Sequence, residues 1–238
     1  MNIILFDHLE GENALPLSDY RASHIQKILK LGIGGQFLAG VVNRAKGVAT
    51  ILNIDKENLW FSFREGPSSH PLYPITLLVA QVRPICMRRI LREAVSLGVE
   101  RIILSGSDTT EKSYADANLY KSGEYRSILL DGAMQSGETG VSEVVFAPSI
   151  ESAITQVDPS SLRIFLDNVL QGRPLSTFDI PIQPAVLAIG GERGFTDRER
   201  SLFVASGFVP ASLGKRILRT ETACTSGLGV LMGRMGLL

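Results

Sequence analysis

Two stretches near the C-terminal end decide how the chain is read: IGGERGFTDRE at residues 189–199 and LGKRILRTETA at residues 213–223. Each closes an apolar run, 185–189 and 208–213, and each leads into a helical pattern, 197–206 and 222 onward. Strand, tight turn and helix, twice in succession, predict a parallel sheet covered on both faces. The same alternation extends upstream. Residues 75–80 are continuously apolar, as in a strand buried on both sides. Residues 86–97 put Met87, Ile90, Leu91, Ala94 and Val95 on one helical face. Further strands are expected at 101–104 and 162–167, a short helix at 149–156 and a long helical zone over 115–134.

The first seventy residues have another rhythm. Short β-rich runs at 41–42, 48–54 and 59–63 are punctuated by Asn43, Gly47, Asn53 and Asn58, which predicts a small all-β barrel. One helix is expected within it, at 23–31, stopped by Gly32, Gly34 and Gly35. The Pro, Ser and Gly of EGPSSHPLYP at 65–74 predict a linker. The expected domains are therefore 1–70 and 73–238.

With 238 residues, 45% hydrophobic and 20% charged, the chain has material for a sizeable core and is no long disordered polymer. No apolar run approaches the roughly 18–20 residues of a membrane span. Residues 1–10 lack the basic and apolar regions of a signal peptide. Lys+Arg and Asp+Glu are both 24, so any nucleic-acid site must be a local patch. Cys86 and Cys224 are far apart, and His8, His24 and His70 are scattered. That excludes a disulfide framework, fits a reduced cytoplasm and predicts no metal site.

In open α/β sheets ligands bind at the carboxyl ends of the strands. Three such ends are unusual here: 164–168, 189–195 and 213–223. Gly190, Gly191 and Gly194 let backbone approach a ligand closely, although a tight strand-to-helix turn would use the same glycines. Gly214–Lys215 is followed by Arg216, so this is no phosphate-binding P-loop. Lys215, Arg216 and Arg219 alternate with Ile217 and Leu218 before Glu221, a mixture suited to an apolar, planar, anionic or phosphate-bearing partner.

Together the two stretches resemble the signature of the RsmE family, ribosomal RNA methyltransferases of the SPOUT superfamily, whose pattern is IGPEGGF(S/T)xxE followed by LGxRILRTETA. The second half matches at Leu213, Gly214 and every position from Arg216 to Ala223. Weaker similarity covers nearly the whole chain. Residues 23–30 are similar to the family's H-x-x-x-V-L-R stretch, 89–99 to its helix ending in E-L-G-V, and 133–137 to A-x-E-Q-S-x-R. Departures are local. Gly191 and Arg193 stand for the family's Pro and second Gly, Ser96 for a glutamate, Glu138 for a basic residue and Ser142 for a proline.

The resemblance implies an N-terminal PUA-like β-barrel that helps hold RNA and a C-terminal α/β domain with a trefoil knot whose loops bind S-adenosylmethionine. It further implies a cytoplasmic homodimer that methylates N3 of a uridine in small-subunit ribosomal RNA. Leu166, Ile189, Gly190, Glu192, Gly194, Leu213, Gly214, Ile217 and Leu218 would frame the cofactor. The N3 proton must be removed or the resulting anion stabilised. Arg216 or Arg219 would offer donors to O2 and O4, and Glu221 would orient an arginine or accept the proton. His24, Lys27 and Lys30 in the barrel, and Arg83 and Arg88 around the first helix after it, are the expected RNA contacts. The competing expectation is a catalytically silent relative that binds RNA or a ribosomal precursor, since Arg193 puts a long cation where bare backbone normally sits and Glu138 puts an anion where the family's RNA face has a cation.

Overall fold

The computed structural model describes residues 2–170 and 172–238. It divides into two compact units, one formed by residues up to Pro71 with Leu130–Val141, the other by Leu72–Leu129 with Ser142–Leu238.

The first unit begins with β1 (Ile4–Phe6), β2 (Glu12–Pro16) and the single turn α1 (Tyr20–Ser23). It continues through β3 (Gln36–Val41), β4 (Ala45–Ile54) and β5 (Asn58–Ser68). The sheet order is β1-β3-β4-β5-β2, with β1–β3 parallel and the other pairs antiparallel. Alternate residues such as Phe37 and Ala39, Ala49 and Ile51, and Leu59 and Phe61 turn inward onto Ile4, Leu15, Ala22 and Ile25. The sheet is curled, and among the described residues no ladder joins its outer strands β1 and β2.

Three local expectations change here. The helix predicted at 23–31 is α1 followed by a π-helical turn, His24–Ile28, with the Leu29 N–H donating to the His24 carbonyl at 3.0 Å. Asp19 caps α1 by accepting the Arg21 N–H at 2.8 Å, which starts the helix earlier than the apolar pattern does. The predicted linker shrinks, because β5 runs to Ser68 and the next strand starts at Tyr73. Strands β1 and β2 were not expected at all; three and five residues carry too few periods to read.

The second unit starts with β6 (Tyr73–Ala80), α2 (Pro84–Ser96) and β7 (Val99–Ser105). Then come α3 (Lys112–Ala115), α4 (Asn118–Lys121) and α5 (Glu124–Ser136), whose last residues belong to the first unit. The helical zone expected over 115–134 is thus three helices, the last two separated by Gly123 at φ +76°. An unforeseen strand, β8 (Glu143–Ala147), precedes α6 (Ile150–Thr155), β9 (Leu162–Leu166) and the short β10 (Arg173–Pro174). The chain ends with β11 (Ala185–Ile189), α7 (Asp197–Ala205), β12 (Val209–Ser212) and α8 (Thr220–Arg234).

All seven strands are parallel, in the order β10-β12-β9-β11-β6-β7-β8. Strand β11 enters between β6 and β9, and β12 is then added outside β9. The carboxyl ends of β12, β9 and β11 therefore stand side by side. One face packs Phe165, Phe195, Phe203 and Phe208 into an aromatic core, with the Phe195 and Phe203 centroids 4.7 Å apart. Helix α8 lies against α2 and β11.

Candidate active site

A cleft of about 310 Å3 opens at the ends of β9, β11 and β12. Its first wall is Leu166, Asp167 and Asn168. Asp167 is buried. One of its oxygens accepts the Val169 and Leu170 N–H groups, both at 2.7 Å, and the other accepts Arg200 Nε at 2.8 Å.

The second wall is Ile189, Gly190 and the turn that follows. The Gly194 N–H donates to the Gly191 carbonyl at 3.0 Å, and Gly194 sits at φ +67°. The chain folds back so tightly that a Cβ on Gly190 would lie 2.9 Å from Gly194 backbone atoms. Glu192 and Arg193 occupy the two corners of the turn. Glu192 reaches α2, where its Oε1 accepts the Arg83 N–H at 3.1 Å. Arg193 lines the cleft but is exposed at its lip, so the hollow stays open beside it.

The third wall follows β12. Leu213, Gly214, Arg216, Ile217 and Leu218 all line the cleft, with Ile217 83% exposed at its mouth. Every residue expected to frame a cofactor thus faces this one cleft. Of the expected catalytic residues only Arg216 lines it. Arg219 is exposed at the N-cap of α8, and Glu221 is half-buried on that helix's first turn. Burial, and then the charge of the Glu221 carboxylate, push the Cys86 thiol up.

The expected RNA contacts differ in availability. Lys27 and Lys30 are exposed. The His24 ring is half-buried; its Nε2 is buried without a hydrogen-bond partner, and burial lowers its pKa. Arg83 is exposed, its Nε donating to Tyr114 Oη at 3.4 Å. Arg88 is engaged by both oxygens of Glu124, at 2.6 and 2.9 Å, and must leave that pair to meet a phosphate. Glu138, a departure from the family pattern, holds the first unit together: it accepts Lys46 Nζ at 2.6 Å and Ser69 Oγ at 2.7 Å, and pairs with His70 Nδ1 at 3.0 Å.

Asp167, Asn168, Thr220 and Ala223 also line the cleft; they fall within the segments singled out from the sequence but were given no role there, whereas Ser212, also on the cleft, was not singled out at all. For Asp167 a signal existed, an acid closing an apolar strand. Among the described residues no cluster of His, Cys, Asp or Glu is arranged to hold a metal, and no helix is long and apolar enough to cross a membrane.

A glycine-lined cleft at the strand ends of a parallel sheet, with Arg193 and Arg216 on its walls, defines a small-molecule site of the nucleotide-handling kind. The profile of the RNA methyltransferase domain matches residues 68–232. Ribosomal RNA small subunit methyltransferase E of Treponema pallidum is 34% identical over 241 residues, covering 98% of this chain and 91% of that protein. A Ribosomal RNA small subunit methyltransferase E from Neisseria gonorrhoeae, solved bound to S-adenosyl methionine, shares the fold with a TM-score of 0.83. It is 21% identical and covers 98% of this chain and 97% of its own. A Legionella pneumophila structure in complex with the bound cofactor SAM superposes with a TM-score of 0.80 at 25% identity, over 98% of this chain and 97% of that one. The chain belongs to the family of ribosomal RNA small subunit methyltransferase E.

Proposed function

We propose that this chain is an S-adenosylmethionine-dependent methyltransferase acting on N3 of a uridine in small-subunit ribosomal RNA. The observation that carries the proposal is the meeting of the Gly190–Gly194 turn with the Arg216–Leu218 segment over one cleft. Its volume of about 310 Å3 falls at the lower end of the range for small-molecule sites, about 300–1,000 Å3. The residues suit an adenosyl cofactor. Leu166, Ile189, Leu213 and Leu218 offer apolar walls, and the turn offers bare backbone at Gly190. When bound, S-adenosylmethionine supplies an electrophilic methyl group on a sulfonium.

The chain must then present an unpaired uracil, lower the cost of ionising N3 and hold the ring in line. Arg216 at the cleft and Arg219 beside it offer guanidinium donors to O2 and O4 as the N3 proton leaves. Glu221, half-buried on the first turn of α8, accepts that proton or orients an arginine. N3 bonds to the methyl carbon as the sulfur–carbon bond breaks, so charge is lost from both partners. Arg193 sits at the lip without filling the hollow, which favours an active enzyme over a silent RNA-binding relative.

The same proposal includes a PUA-like RNA-holding first unit with His24, Lys27 and Lys30 toward RNA, Arg83 and Arg88 as contacts of the second unit, a cytoplasmic location and a homodimer. It also includes a trefoil knot, which the late insertion of β11 between β6 and β9 supports. Calorimetry with S-adenosylmethionine tests the cofactor. Labelled methyl transfer to small ribosomal subunits, with the modified nucleotide mapped, tests the reaction, and a label on any base other than uridine refutes the N3 assignment.

A further inference from the structure

Two buried charged residues hold the cleft from behind without lining it. They are neighbours, Glu199 and Arg200, on the first turn of α7. Glu199 is fully buried; one oxygen accepts the Asp108 N–H and the other the Thr196 N–H, each at 2.8 Å. That pins the residue two beyond Gly194, where the second wall ends. Arg200, whose side chain is 11% exposed, donates Nε to Asp167 Oδ2 and Nη1 to Asp197 Oδ1, both at 2.8 Å. Asp167 in turn shapes the first wall by gathering the Val169 and Leu170 N–H groups on its other oxygen.

A carboxylate whose side chain is 2% exposed needs a partner for its charge. Here the cation is Arg200. Without it, the Asp167 carboxylate gains by turning toward water, and the turn it gathers turns with it. Leu166, Asp167 and Asn168 face the cleft, so their wall would lose its shape.

We propose that Arg200 is a positioning residue that sets the affinity for the cofactor through Asp167, although its own side chain does not line the cleft. The proposal rests on the cofactor assignment made above and adds a residue to it. Its signature is a split between KM and kcat. A residue that only stabilises the fold lowers the active fraction, whereas one that positions the wall raises KM for the cofactor and leaves turnover at saturation in place.

The experiment measures S-adenosylmethionine binding by calorimetry, and KM and kcat for methyl transfer, on R200Q, R200K, D167N, the D167N/R200Q double variant and R198Q, each checked for a cooperative thermal melt. R200Q is expected to raise Kd and KM about tenfold, in line with the cost of a small misplacement, with kcat within about twofold at saturation. R200K keeps the charge but not the fork and is expected to recover about half of that loss on a logarithmic scale. The double variant is expected to be no worse than R200Q, because the two residues act as one unit. R198Q, on the same helix as Arg200, breaks the exposed pairs with Asp108 after β7 and Glu151 on α6 and is expected to bind like the parent. A folded R200Q or, should that variant not fold, a folded R200K with parental Kd overturns the positioning role and leaves the cofactor assignment standing. A parent protein that does not bind S-adenosylmethionine overturns both.

Discussion

Gly190 has backbone on the side where other residues carry a side chain. A Cβ there would meet Gly194 Cα and C at 2.9 Å, and backbone cannot swing aside as the tip of a side chain can. Gly190→Ala is therefore expected to open the turn and weaken S-adenosylmethionine binding by at least about tenfold, read by calorimetry. Arg219 presents the opposite case, an exposed side chain at a helix start with no packing to lose. Arg219→Ala should leave the thermal melt within about 0.5 kcal/mol of the parent while reducing methyl transfer by about a hundredfold or more. An unchanged rate would remove the side chain from the mechanism. Both residues were legible in the sequence because IGGERGF and RILRTETA are contiguous. The strand end that holds Asp167 was legible too, but its tie to Arg200, thirty-three positions away, was not.

Helix α8 comes so near the sheet that its own glycine is part of the packing. A Cβ on Gly227 would lie 2.8 Å from Leu166 Cδ1 and 3.1 Å from Leu187 Cδ2. Gly227→Ala is expected to cost about 1–3 kcal/mol through overpacking, measured by denaturant unfolding. Because Leu166 also lines the cleft, the cofactor Kd should rise in the same variant. A stability loss with unchanged Kd would mean that the wall is independent of the helix. At this level the sequence was read unevenly. Strand β11 and helices α2 and α7 appeared within two residues of their bounds, because each repeats its period and ends on a clear stop. The zone over 115–134 did not, because residues on either side of Gly123 share a helical composition while the glycine adopts φ +76°.

Charge links the chain to pH. Burial alone would push the Glu138 carboxyl up, but hydrogen bonds from Lys46, His70 and Ser69 outweigh it and hold it at about 2. Its usual value is 4.5, so the folded form binds this proton less readily than the unfolded chain. The stability it contributes is complete above that usual value and is lost as pH falls toward about 2. Glu138→Gln should flatten the fall in unfolding midpoint across that window and lower the midpoint near neutral pH. A parallel pH profile in the variant would sink the assignment. Glu138, which stands where the family pattern has a basic residue, is therefore a fastening within the first unit.

What could be known from the order of residues was local or contiguous: alternating strands and helices, the apolar faces, the two loop motifs and the family they resemble. Periodicity and turn chemistry act within a few residues, so they survive in a linear text. Which strands lie together could not be known that way, because β11 slots between β9 and β6, and its pairing with β6 joins Ala185 to Ile75, about a hundred positions back. That placement brings Leu166, Gly190 and Leu213 onto one cleft. Folding likewise brings Glu138 to Lys46 and the buried Asp167 to Arg200, and a buried charge such as that of Asp167 is stable only beside a partner that tertiary packing delivers.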